Sequence, residues 1–257
     1  MVASPLTHAR DRTARRRNRF FVWIAMAMLV AIALGFGRSF YLRPVFIDRP
    51  LPTYLVVHGA VMTGWYLLFL AQALLASNGR IDLHRRLGIA GVLLAAAVTA
   101  TGVLVHLRVV PRMQALGEIG SAGDLSFALG FALAGLASLV PFVVLVALAL
   151  AWRRRPAAHK RLMFWALVWT LGPAFTNSRP LGQFLDPLVA PHLPFFPADL
   201  LWLAALLAYD WTTLRRIHPV TWLGFLSLAA YFFVVMERVA RNEVLQGWLR
   251  AWLGIAG

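Results

Sequence analysis

Between Leu51 and Gly102 two long apolar runs follow one another, with only the short polar stretch Ser77–Leu83 between them. A run of about 20 apolar residues is the length of a helix that crosses a hydrocarbon core. Lipid offers backbone N–H and C=O groups no partner but each other, so only helices and closed barrels survive there. These runs are continuous rather than alternating, which excludes barrel strands. Each is therefore a helix, and the short connection makes the two antiparallel neighbours. His58, Trp65 and Gln72 recur every seven residues and share one face of the first helix. On the second, His84 is followed down one side by Gly88, Gly91, Ala95, Gly102 and His106. On this reading the other segments pack around the pair.

The rest of the chain repeats the pattern. Apolar runs over 20–36, 51–76, 84–107, 127–152, 158–175, 198–211 and 220–236 predict an all-α, polytopic transmembrane helical bundle of about seven spans. Residues 1–19, with six arginines, read as a disordered, basic cytosolic tail attracted to anionic headgroups. The run that follows is longer than the apolar core of a signal peptide and reads as a retained anchor. The stretch 108–126, with Pro111, Gly117, Gly120 and Gly123, reads as a loop, and Pro141 as a kink in the fourth span. Another loop, 176–197, holds five prolines. In 237–257, Val244, Leu245, Trp248, Leu249 and Trp252 stand at helical spacing with Arg238, Arg241 and Arg250 opposite, as in an amphipathic helix lying on the bilayer.

Composition sharpens this. The chain is 60% hydrophobic and 14% charged, too little charge to cover a soluble domain of its size. Its net charge of +15 comes almost entirely from arginine, gathered at the ends of the apolar runs. That is the distribution of topology signals and argues against a nucleic-acid face. With the N-terminus inside, sixteen of the 25 basic residues fall on the cytosolic side, which predicts seven spans with the C-terminus outside. There is no cysteine, so disulfides, thiolate-bound zinc and iron–sulfur clusters are excluded. A haem b or a metal ion would have to be held by His, Met or carboxylates. No phosphate loop, HExxH helix or nucleophile elbow occurs, and whether the protein is an enzyme stays open.

The histidines carry what chemistry there is. His84-Arg85-Arg86-Leu87-Gly88 and His159-Lys160-Arg161-Leu162-Met163 each open a span after an inside turn, with His, two basic residues and Leu in the same order. Basic residues belong at inside turns in any case. The functional reading is a site for an anionic headgroup, a quinone or a haem propionate, built from His84, His159, Arg86 and Arg161. His58 lies about 10 Å inside its span, where an ionisable group faces the bundle interior and has a partner or ligand; His106 and Tyr54 are the nearest candidates. His84 and His106 are about 33 Å apart along one side of their helix. Four histidines, His58 with His106 and His84 with His159, would then make one pair at each face, as two haems passing electrons across a membrane require. Further along, Thr170, Asn177 and Arg179 extend the His159 side of the fifth span past Pro173, a site a carrier would use. Asp199 and Asp210 bracket the sixth, with Arg179 a partner for Asp199. No paired carboxylates sit mid-membrane, which argues against an ion-coupled transporter.

The motifs His58-Gly59, Met62, Trp65, Phe69, Gln72, Gly79-Arg80 and the two histidine motifs resemble a bacterial family of uncharacterised inner-membrane proteins, the DUF2306-like proteins. The resemblance covers residues 51 to 180. It implies a multi-pass protein of the bacterial cytoplasmic membrane and marks the same histidines, without a function. Two readings follow. One is a redox-associated protein binding haem, metal or quinone through His58, His84, His159, His106, Arg86, Arg161 and Gln72, in contact with membrane lipid and served by a membrane redox partner or a second copy of itself. The other is a non-catalytic subunit or assembly factor whose histidines only fasten helices.

Overall fold

The structure, a computed structural model, describes residues 5–176 and 197–255. Helix α1 (Pro5–Phe36) runs on through a π-helical turn, Gly37–Tyr41, to the single turn α2 (Arg43–Phe46). Two hairpins follow, α3 (Thr53–Ser77) with α4 (Ile81–Ala115) and α5 (Ala122–Ala151) with α6 (Pro156–Thr176). Beyond them come α7 (Pro197–Leu214) and α8 (Pro219–Ala230), which passes into a π-helical segment, Tyr231–Ala240, and then α9 (Glu243–Trp252). Five segments are long and apolar enough to cross a membrane: Arg19–Tyr41, α3, α4, α5 and Pro219–Ala240. They fit an integral membrane protein.

The expectation of about seven spans is thus met by five. Helices do form at the other two places, as α6 and α7. However, α6 carries Lys160 and Arg161 in its second turn, and α7 is only 18 residues long with Asp199 and Asp210 near its ends. Other boundaries also move. The basic stretch expected to be disordered is helical from Pro5, continuous with the first apolar run. The loop expected from residue 108 begins only after Ala115, because Pro111 removes one backbone donor without ending α4. Val110 there is fully buried and belongs to a small core with Leu129 and Leu249. Helix α5 starts early, at Ala122, because Ser121 and Asp124 form a reciprocal capping box.

Helices α1, α3, α4, α5 and α6 pack each against the next, and α6 closes the ring on α1. The opposite side of α6 packs on α7 and α8. The centre of the molecule is therefore α6, and not the α3–α4 pair around which the sequence suggested the rest would gather. From Leu162 to Ala174, α6 buries side chains on every side, including Phe164, Trp165, Leu167 and Leu171. Trp165 lies flat on Gly224 of α8, where any β-carbon would overlap its ring. Lipid tails are as apolar as leucine, so such contacts hold helices together by close packing and by hydrogen bonds across the interior. One of these crosses the ring: the Tyr66 hydroxyl on α3 donates to the Leu167 carbonyl at 2.9 Å and meets Thr170 Oγ1 at 2.7 Å. Helix α9 buries Gln246 and Leu249 against α5 and leaves Val244, Leu245, Trp248 and Trp252 exposed.

Candidate ligand site: a histidine pair at the basic end of the bundle

The α3–α4 and α5–α6 turns lie at the same end of the bundle, and each is followed by a histidine as the fourth residue of the next helix. Each ring turns back on its own hairpin. His84 Nδ1 meets the Gln72 carbonyl at 3.3 Å, and His159 Nδ1 meets the Ala149 carbonyl at 2.8 Å. A carbonyl only accepts, so both Nδ1 atoms carry the hydrogen, and in the neutral ring each Nε2 keeps its lone pair. The two imidazoles face one another with ring centres 6.3 Å apart and planes at 85°. The sequence put them at one depth; the fold brings them into contact.

The other end is different. His58 Nδ1 lies 3.0 Å from Thr101 Oγ1. That hydroxyl already donates to the Ala97 carbonyl at 2.7 Å, so His58 Nδ1 is the donor and its Nε2 is again the free lone pair. The partner of His58 is therefore Thr101, and neither His106 nor Tyr54. His106 lies over Gly135 of α5, where a β-carbon would overlap the imidazole, with Phe131 at 6.2 Å. Its Nδ1 is buried without a hydrogen-bond partner among the described residues. No ring contact joins His58 and His106 among those residues, so of the two expected histidine pairs one forms. Gln72 takes part through its backbone; its side-chain Oε1 is buried and unpartnered among the described residues.

Arg86 and Arg161, expected to play equivalent roles, do not. Arg86 is exposed, with no hydrogen bond or ion pair to the described residues. Arg161 is 1% exposed and committed to Asp210. Its Nε donates to Asp210 Oδ1 at 2.8 Å, Nη2 donates to the same oxygen, and Nη1 donates to the Ala157 carbonyl at 2.6 Å. Asp210 Oδ2 accepts from Thr221 Oγ1 at 2.6 Å and from the His218 N–H at 2.9 Å. This tie joins α6, α7 and α8, and it removes Arg161 from any headgroup or propionate. The sequence reading missed it, although Arg161 and Asp210 stand at the same inner level of neighbouring spans and were there to be matched.

His218, outside the spans, caps α8: its Nδ1 accepts from the Val220 N–H at 3.1 Å. Partial burial, and next the Arg161 guanidinium, hold its imidazole below the ordinary histidine range. Lys160 donates to the Tyr209 hydroxyl at 2.6 Å and lies over the Phe21 ring. Asp199 is buried. Asn177 and Arg179, expected to form a carrier site and to supply the partner of Asp199, lie outside the described residues. Comparison with protein-family profiles, with curated proteins and with solved structures finds no match to this chain.

Proposed function

We propose that this is a redox-associated integral protein of the bacterial cytoplasmic membrane, N-terminus in the cytosol, that holds a haem iron between His84 and His159. One observation carries the reading: two facing imidazoles, 6.3 Å between centres, each with Nδ1–H fixed on a carbonyl. Two imidazoles that ligate one ion from opposite sides, with metal–nitrogen bonds of ~2 Å, have their centres about 6 Å apart. Tying the remote N–H to a carbonyl is how metal-ligating histidines are oriented.

The donor set favours haem over the other two ligands. Among the described residues no three His, Cys, Asp or Glu side chains gather to hold a metal ion. A bare ion would thus have two protein ligands, whereas haem supplies the equatorial set itself and needs only the axial pair. A quinone carbonyl needs a hydrogen-bond donor, and the free nitrogens here are acceptors. Haem would supply one-electron chemistry, with a membrane redox partner as its donor or acceptor. The chain's part is to present two Nε2 lone pairs and, through the exposed Arg86, a cation for a propionate. On the His84 and His159 motifs, the DUF2306-like proteins are its proposed relatives.

The structural reading has an observation of its own, since each histidine closes its own hairpin. A reduced-minus-oxidised absorption spectrum of detergent-purified protein separates the two. The haem reading expects a sharp band at about one haem per chain, lost in both His84→Ala and His159→Ala while thermal unfolding shows the fold intact. A flat spectrum from protein expressed with ample haem, with both variants melting earlier, gives the histidines to the hairpins.

A further inference from the structure

At the basic end, where the α5–α6 turn meets the α7–α8 loop, a cavity of about 280 Å³ opens, lined by Trp152, Arg155, Ala157, His218, Pro219 and Val220 among others. Its charged and hydrogen-bonding side chains are of one electrical kind. The Arg155 guanidinium stands 6.0 Å over the Trp152 ring, exposed, with no hydrogen bond or ion pair from its side chain to the described residues. His218 Nδ1 is occupied as an acceptor, so its Nε2 carries the hydrogen and is a donor. Arg216 and Lys160 are near enough to act on His218 electrostatically. Asp210 acts on it too, but both carboxylate oxygens are filled and Arg161 balances its charge.

We propose that this cavity seats the phosphate of an anionic phospholipid. Donors without a free acceptor select an anion, and a guanidinium matches phosphate oxygens in pairs. The volume suits a phosphate ester and falls short of the ~300–1,000 Å³ of pockets for larger small molecules. The rim supplies a path for the acyl chains. Pro219, Trp222, Leu223 and Leu226 are exposed at helical spacing on α8, so an apolar stripe leads away from the cavity along a membrane-crossing segment. A zwitterionic lipid would bring its ammonium into this positive corner; an anionic one brings none. The assignment is independent of the haem reading.

Native mass spectrometry of the full-length protein, titrated with phosphatidylglycerol and phosphatidylcholine in detergent, tests it. The expected result is one preferentially retained phosphatidylglycerol, with affinity falling about fivefold for each arginine removed in Arg155→Ala and Arg155→Ala/Arg216→Ala. Arg80→Ala/Arg154→Ala, which takes the same charge from the same end, should leave the preference in place. Equal retention of the two lipids overturns the proposal. So does an equal loss in the Arg80/Arg154 variant, which would mean diffuse attraction. Displacement of the lipid by millimolar inorganic phosphate would make the cavity a site for a soluble anion instead.

Discussion

Helices α4 and α6 begin alike, with a histidine and basic residues after a tight turn, and finish in opposite environments. Helix α4 is 35 residues long and strongly apolar, yet it lies at the rim, with Ile89 70% and Leu93 69% exposed. Helix α6 has 21 residues and carries Lys160 and Arg161, yet it is the most enclosed helix of the bundle. In water the most apolar segment goes to the middle. In lipid that segment is the one suited to the outside, and the enclosed position is where a charge and hydrogen-bonding tryptophans find partners. Apolarity therefore marks membrane-facing helices here, and mixed character marks the centre.

Three experiments press on that contrast. The largest effect is expected from Asp210→Ala. It strands the buried Arg161 guanidinium, and breaking a buried pair on one side costs about 3–5 kcal/mol. Thermal unfolding in detergent should fall sharply, whereas Arg86→Ala at the start of α4 should change stability by less than about 0.5 kcal/mol. An equal effect from the two variants would remove the distinction between centre and rim. A smaller loss, about 1–3 kcal/mol, is expected from Gly224→Ala, which drives a methyl group into Trp165 on α6; Gly88→Ala on α4, with only Gln72 Nε2 at 3.8 Å, should be tolerated.

The smallest effect is one of pH. The His218 imidazole protonates less readily in the fold than in the unfolded chain, and protonated Nδ1 cannot accept the Val220 N–H. Its contribution is fully present above the ordinary histidine pKa of about 6.5 and is lost as pH falls below that toward the lowered folded value. Melting curves at pH 7.5 and 5.5 should therefore differ less in His218→Asn, whose side chain keeps the cap without titrating.

The spans were legible because an apolar run of membrane length is sufficient in itself, whatever its neighbours are. The facing of His84 and His159 was half legible: equal depth follows from the two turns, but ring contact depends on how the hairpins pack. The failure to pair His58 with His106 was not legible, because it turns on Thr101 offering a nearer oxygen and on Gly135 drawing His106 aside. Nor was the centrality of α6, since hydropathy ranks segments by their fitness for lipid and is silent on which of them protein will surround. Arg161 looked equivalent to Arg86 only while Asp210 was read as a flank of its own helix.

The tie between Arg161 and Asp210 also sets an order of biosynthesis. The partners are 49 residues apart, and the arginine is made first. Until α7 emerges, the guanidinium has no counter-charge, and an arginine deep in a bilayer costs ~2.5–3.5 kcal/mol even in the mildest scale of insertion. Helix α6 is therefore the segment that waits, held at the surface or in the insertion channel while the more apolar α3, α4 and α5 settle into lipid. The arrival of Asp210, with Thr221 close behind, releases it, and α6, α7 and α8 enter together as the last act of assembly. A nascent chain stalled before residue 210 would carry a nearly complete rim around a missing centre.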